Sequence, residues 1–135
     1  MNKHKPRYLV GAAQASLTAK IGLPPEYAAS QDWDLVVSDP KRITEFLSKY
    51  ETLDLNDDER FALMALIVAS FDQLPPAGAE TGHVWTDISR LLRSDRALHE
   101  STIRRWALLD DPDVEDGFPV TGRMRTLALE LKLQS

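Results

Sequence analysis

The sequence predicts an all-α fold: one small domain over residues 1–135, with about five helices packed around a central buried helix at 57–74. Three observations lead there. Phe61 to Phe71, FALMALIVASF, is apolar at every position but Ser70. Apolar residues recur at i, i+3, i+4 and i+7 in other stretches, the period of one helix face. And no stretch shows a convincing period-two alternation, although Leu35-Val36-Val37 is expected to form a short extended piece.

The central helix has both of its ends written into the chain. Asn56 can accept from a first-turn N–H while Glu59, three residues on, reaches back, which is a capping-box pattern. Asp57, Asp58 and Glu59 also suit the positive end of the helix dipole. Pro75 and Pro76 cannot continue a helix, so it should end near 74. A helix apolar on every side is a buried one, because a surface helix keeps a polar stripe. The apolar run is also too short for a membrane span, which takes about 20 residues.

Along the chain, residues 1–6 are expected to be a flexible tail, and 7–21 an Ala-rich helix closed by Gly22 and Pro24-Pro25. Its Leu9, Ala13, Leu17 and Ile21 form a narrow docking face. Tyr27 and Trp33 sit in a connector and should plug the edge of the core. Asp39-Pro40 places a carboxylate cap before a proline at the first helical position. It opens a helix at 40–50 whose inward face is Ile43, Phe46, Leu47 and Tyr50. PPAGAETG, 75–82, is loop by composition. Val84, Trp85, Ile88, Leu91 and Leu92 mark the next helix, with Thr81 as its cap. Leu98, Ile103, Trp106 and Leu109 mark another, starting between Asp95 and Ser101. After an acidic loop at 110–121 anchored by Phe118, Thr121 should cap a last helix facing inward through Met124, Leu127, Ala128 and Leu131.

Composition narrows the function. At 135 residues, 43% hydrophobic and 27% charged, the chain can bury one core and is not of disordered type. It has no cysteine, so disulfides and thiolate chemistry are excluded. The net charge of −5 disfavours a general nucleic-acid or anionic-membrane binder. The N-terminal Lys3, Lys5 and Arg7 precede an apolar part too short for a secretory core, and the expected location is cytoplasmic.

Catalytic material is thin. His83 and Asp87, at i and i+4, would be half of a metal site, and His99 is the only other histidine beyond the N-terminal tail. No zinc spacing, phosphate-cradling glycine loop or GxSxG is present. No catalytic residue, metal or cofactor is expected.

The segment DISRLLRSDRALHESTIRRWALL, Asp87 to Leu109, resembles a helix-turn-helix. That resemblance implies Ser101, Thr102, Arg104 and Arg105 facing DNA, with Ile103 and Trp106 packed inward. The turn departs from the motif. Ser94 to Leu98 would make five residues where such motifs use about 3–4, splaying the second helix from the groove-reading angle. Arg90 and Arg93, three apart on one face, could instead pair with acids of the same chain or meet an acidic partner group. The run Asp110, Asp111, Asp113, Glu115 and Asp116 repels itself unless arginines or a basic partner neutralise it. The function expected is non-catalytic protein binding, as an inhibitor, antitoxin-like or adaptor protein. Its site would be Asp110, Asp111, Asp113, Glu115, Asp116, Arg90 and Arg93. Nucleic-acid binding through 87–109 is the alternative.

Overall fold

The helix built on FALMALIVASF is capped as its sequence requires. In the computed structural model, which describes residues 6–75, 79–108 and 119–133, Asn56 Oδ1 accepts from Glu59 N at 2.8 Å. Glu59 Oε1 returns the bond to Asn56 N at 3.0 Å. This helix, α4, runs Asp57–Phe71, and every residue from Phe61 to Phe71 is buried. It ends three residues earlier than 74, because Asp72, Gln73 and Leu74 close a turn onto Val68, Ser70 and Phe71 before Pro75. Removing a cap of this kind costs about 0.5–2 kcal/mol.

The fold is all-α. Six further α-helices lie among the described residues: α1 Gly11–Ile21, α2 Trp33–Val36, α3 Ile43–Thr52, α5 Ala79–Ser94, α6 Arg96–Ala107 and α7 Thr121–Glu130. Short 3-10 turns occupy Pro25–Tyr27 and Pro40–Arg42. No strand occurs among the described residues. Helices α1, α2, α3, α5 and α6 all pack on α4, and α7 packs on α6.

α1 starts at Gly11, four residues later than expected, because residues 6–10 are drawn over α6 instead. Arg7 N donates to Ser101 Oγ at 2.7 Å, and its guanidinium reaches Asp58 at 3.1 Å. The helix closes at Gly22, where φ is +75°, and the N–H groups of Gly22 and Leu23 both bond Thr18 O. That left-handed position favours glycine. Arg42 then covers the helix end, donating to Ile21 O at 2.7 Å and Gly22 O at 3.1 Å while stacking over Phe46.

Residues 35–37 are not extended. They belong to the single turn α2 and its cap, with the N–H groups of Leu35 and Val36 both bonding Asp32 O. The physical reason is that Trp33 and Val37 are buried while Leu35 between them is exposed: a strand would put all three on one face, whereas a helical turn points Leu35 away. This turn is the helix that the sequence did not announce. Burying a side chain as large as Trp33, fully enclosed here, stabilises by about 1.5–3 kcal/mol or more.

The Asp39-Pro40 start forms as a 3-10 turn, with Asp39 Oδ1 accepting from Lys41 N, and α3 proper follows from Ile43. Ile43, Phe46, Leu47 and Tyr50 are buried. α5 begins at Ala79, before Thr81, whose hydroxyl donates back to Pro75 O rather than capping. Thr121 likewise is the first residue inside α7 and fully buried; Val120 stands at the cap, its N–H held by Asp72 Oδ1 at 2.9 Å. Met124, Leu127 and Ala128 face the core, with Leu131 partly buried beside them. Phe118 and the acidic residues 110–116 lie outside the described residues, as do 1–5 of the expected tail and Leu109.

The junction of α5 and α6 differs most from expectation. The five-residue turn does not exist. α5 continues to Ser94, α6 begins at Arg96, and Asp95 alone separates them. Asp95 N–H still bonds Leu91 O in the outgoing helix, while Asp95 O accepts from Leu98 and His99 in the incoming one. With no Gly or Pro to stop either helix, and with Arg96, Ala97 and Leu98 good helix formers, one residue makes the whole corner.

A candidate binding groove between α1, α4 and α6

Of the four α6 residues implied by the helix-turn-helix resemblance, one is buried and three are engaged within the chain. Thr102 is buried at 3% exposure. Ser101 accepts from Arg7 N, Arg104 Nε donates to Glu100 at 2.8 Å, and Arg105 Nη1 donates to Asp34 Oδ2 at 3.0 Å. Ile103 and Trp106 are buried, as the resemblance implied. The two arginines on α5 are paired elsewhere: Arg90 with Glu51 of α3 at 2.5 Å, and Arg93 with Glu130 of α7. The acidic run 110–116 lies outside the described residues, and the arginines reach different acids. Such exposed pairs are screened by solvent and add little to stability.

What the fold does gather is a groove. Ser101, Thr102, Arg104, Arg105 and Trp106 of α6 line one side of a solvent-open depression of about 1100 Å³. Phe61 and Ala65 of α4 form its floor, Gln14 and Ala15 of α1 stand opposite, and residues 6–9 and 28–32 run along its edges. The lining is largely apolar, with a few placed polar groups, which is the usual make-up of a recognition site.

Three side chains shape it. Gln14, 5% exposed, donates through Nε2 to Ala28 O at 3.0 Å and Ser30 O at 3.2 Å, fixing one edge against α1. Asp34, 1% exposed on α2, holds Arg105, whose guanidinium also lies 5.4 Å from the Trp106 ring. Breaking that pair from the arginine side would leave a buried carboxylate unmatched, which is costly. None of Gln14, Asp34 or the Asp34–Arg105 pairing was singled out from sequence. Gln14 had a signal: it falls on the inward face of α1 between Ala13 and Leu17. Arg105 and Asp34, 71 residues apart, had none.

A second polar cluster lies inside the molecule. Tyr50 Oη donates to Asp95 Oδ2 at 2.6 Å and sits 2.7 Å from His99 Nε2. Since the tyrosine proton goes to Asp95, the His99 bond requires its proton on Nε2. Nδ1 is then a bare acceptor, buried with no hydrogen-bond partner among the described residues. Burial therefore pulls the His99 pKa down to about 4, against the opposing pull of Asp95. Burial first, then the Asp95 bond, pushes the Tyr50 phenol up. His99 is fully enclosed and Tyr50 buried, while Asp95 is half-buried, and the trio locks α3 to the α5–α6 corner.

Glu59 is the third. Lys20 at 2.7 Å and Ser16 at 2.6 Å bind its carboxylate, and these bonds hold its pKa down to about 2. It couples α1 to the start of α4.

His83 and Asp87 are both exposed, and among the described residues no group of three or more His, Asp or Glu side chains could hold a metal. No helix among them is long and apolar enough to cross a membrane. No protein-family model, curated protein or solved structure matches the chain.

Proposed function

We propose that this chain is a non-catalytic binding protein that receives a segment of another protein in the groove between α1, α4 and α6. The groove carries this conclusion. It is larger than most small-molecule sites, which run about 300–1,000 Å³ and close around their ligand, and it is open to solvent. A chain segment with apolar side chains fits such a shape better than a compact metabolite. The burial of Tyr50 and His99 supports the same conclusion, since a catalytic group must reach its substrate. We assign the protein to the cytoplasm in an inhibitor, antitoxin-like or adaptor role; a cysteine-free chain needs no oxidising compartment to fold.

Ala15 offers the test. It is exposed on α1 and lines the groove, so Ala15→Trp fills the space without touching the core. Peptides selected from a random phage-displayed library on the wild-type protein should bind Ala15→Trp at least ten-fold more weakly. Equal binding to both proteins would place recognition elsewhere.

A further inference from the structure

We propose that the groove is selective for an extended, acidic segment of its partner, one carrying an Asp or Glu beside a large apolar residue, with Arg105 as the reader of the carboxylate. This rests on the groove being the binding site, and it names the chemistry of the occupant.

Arg105 is held before any ligand arrives. Its Nη1 is fixed by the buried carboxylate of Asp34 at 3.0 Å and its face lies over Trp106. Nε and Nη2 have no acceptor among the described residues, and the side chain is 49% exposed at the groove wall. A guanidinium so oriented loses little freedom on meeting a second carboxylate, and its planar fork matches carboxylate geometry. Asp32, the other carboxylate on the lining, is exposed with no cation holding it among the described residues, so it offers a basic ligand only a solvated, unorganised contact.

The backbone indicates an extended segment. Gln14 spends both amide hydrogens on Ala28 and Ser30, which leaves Oε1 an acceptor on a side chain that is 95% enclosed at the groove wall. Along the edges, the N–H and C=O groups of Tyr8, Leu9, Ala29 and Gln31 have no partner among the described residues. A helical ligand has already consumed its own backbone donors and acceptors, whereas an extended one can exchange bonds with Gln14 and with these edges. Phe61, Ala65 and Trp106 receive the apolar neighbour of the acid.

The experiment uses the full chain and a random heptapeptide display library. Peptides enriched on the wild type are synthesised with their acidic residue intact and as the Asn or Gln analogue, and both are titrated by fluorescence anisotropy. The expected result is enrichment of Asp or Glu next to an aromatic or long aliphatic residue. The amide analogue should bind at least ten-fold more weakly to the wild type, and less than two-fold more weakly to Arg105→Gln. Should Arg105→Gln not fold, Arg105→Lys replaces it, keeping a charge opposite Asp34 but losing the fork. The acid-to-amide ratio should then fall at least three-fold. Enriched peptides without an acid, peptides rich in Lys or Arg, or an acid preference that survives both Arg105 variants would each overturn the carboxylate inference. If those peptides still lose binding to Ala15→Trp, the groove itself stands. Peptides indifferent to Ala15→Trp, or no enrichment on the wild type, would remove the groove and this inference together.

Discussion

At the scale of single residues, the sharpest consequence concerns His99. Burial keeps its ring uncharged inside the fold, against the pull of Asp95 and with the charges of Arg7 and Arg60 adding to the effect. Unfolded, the same ring takes a proton near pH 6.5, but folded only near 4. The unfolded state therefore binds the extra proton between those values, so stability is full above 6.5 and falls as the pH drops toward 4. Urea melts at pH 7 and pH 4.5 should differ by about 2–3 kcal/mol for the wild type. His99→Leu, in which Tyr50 can still donate to Asp95, should lose most of that difference. Glu59 does not confuse the window, because its pKa is depressed to about 2 and its contribution is lost only as pH falls below about 4.5. A wild-type stability flat from pH 7 to 4.5 would show that the ring is not buried uncharged. Little of this trio was legible beforehand. The i, i+4 spacing of Asp95 and His99 is visible in the chain, but the contact to Tyr50 spans 45 and 49 residues, and no local pattern encodes it.

At the scale of elements, α4 was the most legible because each of its signals is local. Asn56 and Glu59 cap it, the apolar run buries it, and Pro75 bars its continuation. Ile67 is wholly enclosed at its middle, so Ile67→Asp sets an unpaired charge where water cannot follow. The variant should lose its cooperative thermal transition, a cost of several kcal/mol; near-native helicity with a sharp melt, read by circular dichroism, would contradict that. α2 stayed hidden for the opposite reason. One turn is too short for a period to register, and only the burial of Trp33 and Val37 with Leu35 left outside, a tertiary fact, tells the turn from a strand. The corner at Asp95 was misjudged because the polar run Ser94-Asp95-Arg96 interrupts the apolar period and reads as a turn. Here the carboxylate makes no cap bond to its own helix and turns instead to Tyr50. The groove inherits this difficulty: its polar contacts join α1 to 28–30 and α6 to α2, pairings that only the packed chain creates.

At the scale of the whole molecule, one cluster of buried apolar side chains reaches from Ala13 of α1 to Leu133 beyond α7. α7 is tied into it at its start and at its middle. Asp72 at the end of α4 holds Val120 N, and Arg125 covers the end of α6 by donating to Ala107 O at 2.9 Å and Leu108 O at 2.6 Å. Leu108 needs that cover, because its positive φ of 50° is strained for a non-glycine residue. A cavity opened in α7 should therefore weaken the molecule as a unit rather than release one helix. Leu127, 2% exposed, is the place to open it, and Leu127→Ala should cost about 2–5 kcal/mol. The tryptophans make the test spatial, since Trp33 reports on α2 and Trp106 on α6 beside α7. Urea transitions followed by tryptophan fluorescence, in single-tryptophan variants retaining Trp33 or Trp106, should coincide with the loss of helicity and shift together in Leu127→Ala. If Trp33 kept its native emission after Trp106 had reached water, the two ends of the core would be separate cooperative units. The groove, whose walls come from α1 and α6, would then have to assemble from parts that melt independently.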